Sequence, residues 1–593
     1  TKSAEDVEKV LDFIVEKILE GKVLAIKSFG GYHLVCDATN DDVVFRLRKS
    51  KNREFKPFAM MAYNLDIIKK YSYVDKESEK LLSSSQSPIV LLLKKPNIEE
   101  PRISEFVSVE SNYYGFMLPY TPLHYLIFYW LNKNNKNIPL IMTSGNLSDE
   151  PQVFKETQAF EKLKDIADYF LIYNRKINIR CDDSVCRVFN NDVYFIRRSR
   201  GWAPEPIFVN YNFKKQILAF GADLKNTFSL AKDNYVIVSH HIGDLDNLDA
   251  IDSFSQSIEY YLKTFKFKPD LLVCDLHPLY ESSKIAKEFA KNNSIECITL
   301  QHHYAHMLSC MLENGIFERC IGVIFDGTGY GLDNTIWGSE FLVGDISSFI
   351  RKAHFEPISL VGADISIKQP SRNALAFLYK EYKDKKLIKD FWSFITNKLE
   401  SKQNKEISFS FEEIFDSIKF LVENNINIVS SCGMGRIFDI VAFLCGLGFF
   451  NYYEGYLPQN LEYIGSYEFK EIKDEIYTYE IKYRDNKYIA NTRLFLKEIF
   501  EDVFFNKKDV KKVSAKFHNT ISKISVEIIL KIREELNINK VVLSVGVFQN
   551  QILLFSIYNK LQSFGFEVFI HRKVPCNDAG ISFGQTLGCN IYV

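Results

Sequence analysis

Two hydrophobic periodicities alternate along the chain and predict a mixed α/β protein. In the opening TKSAEDVEKVLDFIVEKILEGK, apolar residues recur at helical spacing among charged ones, which predicts an amphipathic helix and not a signal peptide. Short apolar runs of strand length follow, and together they predict an α/β unit with a twisted sheet over residues 1–205. These runs are VLAIKSF, GYHLVCDA, DVVFRL, PFAMMAY, SPIVLLL, PLIMTS, SVCRVF and VYFIRR.

A second α/β pattern begins after the turn-rich GWAPEP, at about residue 215. The strand-like segments QILAFGAD and NTFSLAKDNYVIVS precede predicted helices at 249–265 and 281–292, and the predicted strands LLVCDL and ECITL alternate with these helices. Residues 360–430 show a mostly helical pattern, and VVLSVG predicts a further strand. A strand, a Gly/Asp turn and a strand occur at GADLKNT and again at DGTGYG, which indicates a duplicated α/β fold with nucleotide between its halves.

Length, charge and cysteine spacing narrow the class of protein. A chain of 593 residues is too long for one hydrophobic core. The formal net charge is −1 and the chain has no long basic stripe, which argues against a nucleic-acid partner. Its eleven cysteines form no C-x-x-C pair, which argues against a zinc module and a disulfide framework and favours the cytoplasm. The longest apolar run, Ile440–Phe450, is too short to span a bilayer.

The segment DGTGYG is the first candidate for binding chemistry. It begins with Asp326 at the end of a predicted strand, and Gly327, Gly329 and Gly331 follow within five positions. Glycines allow the backbone to approach phosphate and to direct N–H groups at it, and Thr328 adds a hydroxyl. A Gly-rich hairpin without a ligand explains the pattern equally well.

The segment QHHYAHM contains a candidate pair of metal ligands. His302 and His306 lie four residues apart on a predicted helix, so both imidazoles project from one face. Such a pair can chelate a divalent ion, and Asp326 offers a carboxylate. A packed or surface pair of histidines is the alternative. In PCNDAGISFGQ, Asp578 is either a fourth ligand or a helix N-cap.

Two further segments contain candidate nucleoside contacts. In GMGRIFD, Gly435 and Asp439 lie one helical turn apart, where the carboxylate could bind ribose hydroxyls and the glycine leaves room for the sugar or base. In SVGVFQN, Gly546 could pack against a purine with Asn550 at its edge.

The N-terminal unit combines basic residues with small hydroxyl and amide side chains. Ser144 and Asn146, in TSGN, follow a predicted strand. With the basic cluster they predict a donor-rich pocket for a triphosphate and a small anion, although a surface of mixed charge remains the alternative. The cluster comprises Arg48, Lys51, Arg53 and Lys56.

Taken together, these motifs resemble the hydrogenase-maturation carbamoyltransferase family HypF. KSFGGYHLVCDA, RKSKNREFKPFAMM, MLPYTPLH and TSGNLSDEP resemble its YrdC-type domain. GADLKNTF, SHHIGDLDN, CDLHPLYESS, QHHYAH, DGTGYG, GMGRIFD, VFQNQILL and NDAGISFGQ resemble its second half, which is similar to the catalytic subunit of the tRNA threonylcarbamoyl-transferring complex. The resemblance implies an α/β fold in which a YrdC-like domain (1–205) precedes a duplicated actin/hexokinase-like domain (206–593).

Three features depart from the family pattern. The family's N-terminal acylphosphatase-like domain and four-cysteine zinc modules have no counterpart here, and the chain opens with Thr1 and not Met, which predicts an excised fragment that does not use carbamoyl phosphate. The usual Gly-Glu-Leu-Lys-Asn-Thr has Asp223 in place of glutamate. The usual Ser-Gly-Gly is Ser544-Val545-Gly546, and the valine could narrow the nucleotide pocket.

The resemblance also implies a mechanism. The first domain would form carbamoyl adenylate from ATP and carbamate, using Mg²⁺, and pass it through an internal cavity to the second domain. There a metal, iron(II), zinc or manganese, would hold the nucleotide phosphates, and the carbamoyl group would move to the C-terminal cysteine of the partner HypE. The implied catalytic residues are Lys51, Arg53, Ser144 and Asn146. The implied nucleotide-binding residues are Arg48, Lys56, Lys225, Asp326, Gly327, Thr328, Gly329, Gly331, Gly435, Asp439, Gly546 and Asn550. The implied metal ligands are His302, His306, Asp326 and Asp578.

Three other functions fit parts of the same pattern. A carbamoyltransferase that acts on a small-molecule hydroxyl resembles this chain but places the two domains in the opposite order. A tRNA-modifying enzyme would favour a more basic surface and separate chains. A non-catalytic ATP-binding scaffold for maturation factors would not need the K-x-R, S-x-N and H-x-x-x-H sets.

Overall fold

The computed structural model describes residues 4–96, 100–148, 150–403, 410–469, 471–472 and 475–588. The chain divides into two compact units. Unit 1 comprises Thr1–Leu272, Tyr280–Cys297 and Arg572–Pro575, and unit 2 comprises Val273–Leu279, Ile298–His571 and Cys576–Val593. Unit 1 thus includes segments beyond residue 205. The division into functional domains at residues 205 and 206 stays a prediction.

The N-terminal part of unit 1 is a nine-stranded mixed sheet flanked by helices. The strands are β1 (Leu24–Lys27), β2 (Tyr32–Asp37), β3 (Ala59–Met61), β4 (Ile89–Leu93), β5 (Tyr113–Met117), β6 (Leu140–Ser144), β7 (Tyr169–Leu171), β8 (Val185–Phe189) and β9 (Asp192–Arg197), in the order β7-β1-β2-β6-β3-β5-β4-β8-β9. The helices are α1 (Ala4–Leu19), α2 (Asp41–Ser50), α3 (Leu65–Tyr71), α4 (Lys76–Leu82), α5 (Pro122–Lys133) and α6 (Glu156–Lys162).

The first predicted helix is confirmed, and one predicted strand is wrong. Helix α1 buries Leu11, Ile14, Val15 and Ile18 against the sheet, as its periodicity requires. The run DVVFRL forms α2 and not a strand. The Asn40 side chain accepts a hydrogen bond from the Val43 N–H, and two aspartates occupy the first turn, so capping overrides the β-branched residues.

A four-stranded sheet and three helices follow. The strands are β10 (Ile207–Ala219), β11 (Ser229–Val238), β12 (Leu271–Asp275) and β13 (Glu296–Leu300), in the order β11-β10-β12-β13. The helices are α7 (Leu248–Thr264), α8 (Glu281–Asn293) and α9 (His302–Asn314). The helices predicted at 249–265 and 281–292 are therefore confirmed within a residue at each end. Asp223, the residue that departs from the family pattern, accepts hydrogen bonds from the first N–H groups of α8, at Glu281 and Ser282.

The remainder is a second nine-stranded sheet enclosed by helices. Its strands are β14 (Cys320–Tyr330), β15 (Ile336–Gly344), β16 (Phe349–Phe355), β17 (Ile358–Val361), β18 (Ile428–Ser431), β19 (Ile481–Arg484), β20 (Lys487–Ala490), β21 (Lys540–Ser544) and β22 (Glu567–Phe569). The main path is β19-β20-β16-β15-β14-β21-β22, and β18 pairs with both β15 and β17. The helices are α10 (Ile365–Lys368), α11 (Pro370–Tyr382), α12 (Lys385–Gln403), α13 (Phe411–Asn424), α14 (Met434–Leu444), α15 (Tyr456–Gly465), α16 (Thr492–Phe504), α17 (Val510–Leu536), α18 (Gln551–Ser563) and α19 (Ile581–Leu587).

The predicted α/β class is confirmed by this arrangement of sheets and helices. Strand β14 pairs antiparallel with β15 and parallel with β21, so it is an interior strand of the second large sheet. Its carboxyl end carries the Gly-rich motif. Within the described ranges, every helix is too short or too polar to cross a lipid bilayer.

Candidate functional site

Helix α9, strand β14 and the turn before α19 contain the four predicted metal ligands, all in unit 2. His302 and His306 project from adjacent turns of α9, with their ring centroids 5.0 Å apart. His302 Nε2 lies 3.3 Å from Asp326 Oδ2 at the end of β14, and His306 Nε2 lies 3.5 Å from Asp578 Oδ1. The ligand atoms of His302, His306 and Asp578 all fall within 4.8 Å of one another.

The unsatisfied polar atoms of this cluster fit a divalent cation. Among the described residues, His302 Nε2, His306 Nε2 and Asp326 Oδ2 are buried without a hydrogen-bond partner. Leaving such atoms unpaired is costly, and a cation bound by the two imidazoles and Asp578 would satisfy both Nε2 atoms. Two imidazoles and two carboxylates are a donor set that iron(II), zinc and manganese accept.

Asp275 holds His302 in the orientation that a metal requires. Its Oδ2 lies 2.8 Å from His302 Nδ1, and both side chains are almost wholly buried. The Nδ1–H donates to Asp275, so Nε2 faces Asp326. Burial opposes protonation of His302, but the Asp275 carboxylate, together with Asp326 and Asp578, raises its pKa well above the usual value. The sequence analysis missed Asp275, although its position at the carboxyl end of the buried strand LLVCD was a usable signal.

Replacing Asp275 with asparagine is expected to weaken metal binding by about 10- to 100-fold. Asparagine keeps the size of the side chain but removes the charge that orients and polarises the imidazole. The dissociation constant for Zn²⁺ of the purified chain, measured by competition with a chromophoric chelator, tests this expectation. Asp270→Asn is the control, because Asp270 is exposed and accepts a backbone hydrogen bond from Gln216, with no contact to a predicted ligand among the described residues. An unchanged affinity in Asp275→Asn would contradict the role.

The turn before α19 bears on whether Asp578 is a metal ligand or a helix N-cap, the two roles that the sequence left open. Asn577, and not Asp578, caps the short 3-10 turn Asp578–Gly580, because its Oδ1 accepts from the Ala579 N–H at 3.1 Å. The Asp578 carboxylate faces His306. The geometry therefore favours the ligand role for Asp578 over the capping role.

The Gly-rich motif is the irregular end of β14 and not a separate loop. The strand continues to Tyr330, with a shift of register against β15 between Phe325 and Gly329. A Cβ atom at Gly329 would lie 2.4 Å from His303 Cε1 and 2.8 Å from His302 Cδ2. Only glycine therefore allows this strand end to pass so close to the histidine-bearing helix.

The GMGRIFD motif lies directly against this strand end. A Cβ atom at Gly435 would lie 3.0 Å from Gly327 Cα, so α14 begins in contact with the motif. Asp439 is fully buried; its Oδ1 accepts from Asn451 Nδ2 at 2.9 Å, and its Oδ2 lies 3.1 Å from Arg436 Nη2. The predicted ribose contact of Asp439 stays a prediction.

Arg436 is a further residue that the sequence analysis missed. It is 5% exposed, and its Nε and Nη1 have no hydrogen-bond partner among the described residues. Its Nη2 would lie 3.3 Å from a Cβ atom at Gly327. A buried guanidinium with free N–H groups beside a Gly-rich strand end, at the start of a helix, is suited to an anionic ligand.

The SVGVFQN segment contains a backbone that is unusual for its sequence. Val545 has φ 87° and ψ 167°, a conformation that glycine adopts readily and a β-branched residue does not. This is the position where the family pattern has glycine. Asn550 caps α18 through Leu553 N–H, and its Nδ2 lies 2.9 Å from His518 Nε2. The predicted nucleotide contacts of Gly546 and Asn550 stay predictions.

Glycine at position 545 is expected to cost much less stability than glycine at a regular buried valine. Val545→Gly loses a buried side chain but releases backbone strain of about 1–3 kcal/mol. The matched control is Val542→Gly in β21, because both valines are fully buried. Urea unfolding should show a smaller loss for Val545→Gly by about 1–3 kcal/mol. Equal losses would show that the backbone at Val545 is not strained.

Three of the four predicted catalytic residues, Lys51, Ser144 and Asn146, form a hydrogen-bonded group in unit 1. Lys51 ends α2 and is fully buried; its Nζ donates to Ser144 O at 2.5 Å, Asn146 O at 2.5 Å and Asn146 Oδ1 at 2.6 Å. Ser144 Oγ donates to Asn146 Oδ1 at 2.6 Å. Lys51 thus joins the K-x-R segment to the S-x-N segment. Burial, with Arg53 and Lys56 nearby, holds its pKa well below the usual value.

The lowered pKa of Lys51 predicts how stability changes with pH. The folded state binds the Lys51 proton less tightly than the unfolded state, so unfolding takes up a proton below the unfolded lysine pKa of about 10.4. The contribution of Lys51 to the free energy of unfolding should therefore rise with pH toward that value, by at most about 1.4 kcal/mol per pH unit. Urea unfolding of the wild type and Lys51→Met across this range measures the difference, and a difference that is constant or falls would contradict the shift.

The other predicted basic residues are described by contacts with the protein backbone and not by contacts with the Lys51 group. Arg48 Nη1 donates to the carbonyls of Arg53, Glu54 and Lys56, so it shapes the loop that carries Arg53 and Lys56. Arg53 donates to the carbonyls of Lys56 and Pro57. Lys225 lies in unit 1 at φ 47°, and its N–H donates to Asp244. Nucleotide contacts by Arg48, Lys56 and Lys225, and by the half-buried Thr328, stay predictions.

Models of known protein families match almost the whole chain. The model of the Sua5, YciO and YrdC proteins, described as telomere recombination, matches residues 16–199. The model described as the HypF Kae1-like domain matches residues 212–313. The model described as the second subdomain of a Kae1-like carbamoyltransferase domain matches residues 322–585.

Individual proteins show the same similarity over nearly full length. The carbamoyltransferase HypF of Synechocystis sp. is 34% identical over 98% of this chain and 73% of its own. The crystal structure of full-length HypF in the phosphate- and nucleotide-bound form is 39% identical, with a TM-score of 0.88, over 98% of this chain and 72% of that one. The crystal structure of HypF from T. kodakarensis is 32% identical, with a TM-score of 0.87, over 98% and 73%.

Proposed function

Because the chain belongs to the HypF family of carbamoyltransferases, we propose that it makes carbamoyl adenylate and transfers the carbamoyl group to a protein thiolate. ATP and carbamate are the substrates of the first step, and AMP is released in the second. The acceptor is the C-terminal cysteine of a HypE-type partner in the maturation of [NiFe]-hydrogenase. The reaction takes place in the cytoplasm, and residues 1–205 and 206–593 are the two functional domains.

The group around Lys51 supports adenylate formation. A carbamate oxygen attacks the α-phosphorus of ATP, the bond to the bridging oxygen breaks, and pyrophosphate leaves with Mg²⁺. This step needs no protein nucleophile; it needs donors held where negative charge develops. Lys51 fixes the S-x-N segment through three hydrogen bonds, so that Ser144 and Asn146 keep a constant position.

The cluster on α9 supports the transfer step. His302, His306, Asp326 and Asp578 would hold the metal, which supplies Lewis-acid polarisation at the nucleotide phosphates. The free N–H groups of Arg436, beside Gly327, offer contacts to the same anionic groups. The acceptor thiolate then attacks the carbamoyl carbon, and the bond to the AMP oxygen breaks.

The convergence of partnerless buried ligand atoms beside the Gly-rich end of β14 is the observation that carries this proposal. A scaffold that only bound ATP would gain nothing from the partnerless atoms of His302, His306 and Asp326, since such unsatisfied polar groups lower stability. The similarity to carbamoyltransferases over nearly the whole chain supports the same assignment.

ATP–pyrophosphate exchange tests the proposed function. The purified chain is assayed with carbamate (from bicarbonate and ammonia), with carbamoyl phosphate, and with threonine plus bicarbonate. We expect exchange with carbamate alone, and no exchange with carbamoyl phosphate. Exchange that requires threonine would indicate an enzyme of tRNA modification. If no substrate supports exchange, the proposal of adenylate formation is overturned. Transfer of labelled carbamoyl to HypE, compared with HypE lacking its C-terminal cysteine, tests the acceptor.

A further inference from the structure

A second buried group of metal-ligating side chains lies further along α9, at its C-terminal end. Cys310 and Glu313 are one helical turn apart on α9, and His571 follows β22. One ligand atom from each lies within 4.8 Å of the other two, and all three residues are buried. None of them belongs to the predicted metal set.

The hydrogen bonds of Ser544 determine which nitrogen of His571 is available. Ser544 Oγ donates its single proton to the carbonyl oxygen of His306 at 3.0 Å. It therefore accepts, at 2.7 Å, from Nε2–H of His571. In a neutral imidazole the lone pair is then on Nδ1. Among the described residues this Nδ1 has no hydrogen-bond partner, although Glu313 Oε1 lies only 3.4 Å away.

Three electron-rich groups therefore lie close together in the protein interior: the Cys310 sulfur, the Glu313 carboxylate and the lone pair on His571 Nδ1. The imidazole lone pair and the carboxylate repel each other at this distance unless a positive charge lies between them. Glu313 is also in the last turn of α9, where the helix end is partially negative and disfavours a carboxylate. That turn, all of which the structure describes, contains no Lys or Arg. A bound cation would offset the repulsion between Glu313 and His571. It would also offset the unfavourable interaction of the Glu313 carboxylate with the C-terminal end of α9.

We propose that Cys310, Glu313 and His571 bind a second divalent cation of the zinc class. Thiolate, imidazole and carboxylate are the ligands that Zn²⁺ accepts, and three protein ligands leave one position for water. The Cys310 thiol loses its proton to solvent as the Cys310 Sγ–metal bond forms. Ser544 holds the other nitrogen of His571, as partners of metal-bound histidines do.

The second cation would connect parts of the chain that are distant in sequence. Cys310 and Glu313 belong to the helix that carries His302 and His306, whereas His571 lies more than 250 residues later. Through Ser544, the same group also reaches the backbone of His306. Binding would therefore fix the C-terminal half of α9 against the segment after β22.

Cobalt(II) distinguishes this site from the first one, because cobalt bound to thiolate gives an intense charge-transfer absorption in the near ultraviolet. His302, His306, Asp326 and Asp578 contain no sulfur, so they cannot produce this band. The purified full chain, stripped of metal, is titrated with Co²⁺ under reducing conditions. We expect the thiolate band, and two equivalents of bound metal. Absence of the band in the wild-type chain would overturn the proposal without any variant.

Variants assign the band to this cluster. Cys310→Ser should remove the band and one equivalent of metal, while Cys320→Ser, which changes another buried cysteine in the same unit, should keep both. His571→Gln should weaken the band in the same way if Cys310→Ser fails to fold. His306→Gln should keep the band and lose the other equivalent. A band that survives both Cys310→Ser and His571→Gln would place the thiolate elsewhere and overturn the proposal.

Discussion

Replacing Lys51 with methionine is expected to lower the rate of ATP–pyrophosphate exchange by about 100- to 1,000-fold. Methionine has a similar length, but it donates no hydrogen bond. The carbonyls of Ser144 and Asn146 and the side-chain oxygen of Asn146 then lose their shared donor. The S-x-N segment therefore loses its fixed position. Exchange with carbamate, measured at saturating ATP, tests this expectation.

The matched control for this change is Lys49→Met. Lys49 lies in the last turn of the same helix and is exposed, so the same substitution there leaves the buried group undisturbed. Exchange in the control should equal that of the wild type. Metal content of the second domain should be the same in all three proteins, which separates a local defect from unfolding of the chain. Exchange in Lys51→Met equal to that of the control would contradict a role for Lys51.

Sequence periodicity predicted the elements better than it predicted side-chain partners. The helix from His302 follows from its spacing, and its i, i+4 histidines do share one face. The strand predicted for DVVFRL is wrong, because helix capping by Asn40 overrides the strand preference of the β-branched residues. The end of β14 was predicted at Asp326, yet the strand runs to Tyr330, because glycines can remain in an irregular ladder.

The residues that sequence reasoning missed act across long separations. Asp275 meets His302 across 27 positions, and Ser544 meets His571 across 27 as well. Such pairs are created by strand order, which no local pattern specifies. Arg436 was present in a quoted motif, but its lack of partners becomes visible only when the packing around it is known. For Lys51 the sequence predicted a contact with an anion. The structure shows that its ammonium group makes three hydrogen bonds to Ser144 and Asn146.

Replacing His306 with glutamine is expected to abolish carbamoyl transfer while leaving pyrophosphate exchange intact. Glutamine is close in size, but its amide is a poor ligand for iron(II) or zinc. Loss of an orienting residue such as Asp275 costs about 10- to 100-fold in metal affinity, so loss of a direct ligand should cost more than about 100-fold. Transfer of labelled carbamoyl to HypE, ATP–pyrophosphate exchange and metal content by mass spectrometry are the three measurements.

The comparison of exchange with transfer separates the two proposed steps. Exchange is proposed to depend on the Lys51 group in unit 1, whereas His306 is in unit 2, so a selective loss of transfer would place the metal in the second step only. His354→Gln is the control, because His354 is also buried in unit 2, and its Nδ1 lies 2.9 Å from the carbonyl oxygen of Phe355. It should keep its metal and its transfer activity. If His306→Gln lost its metal but still transferred carbamoyl at the wild-type rate, the metal would be structural, and the chemistry of the second step would rest on Arg436 and the Gly-rich strand end instead.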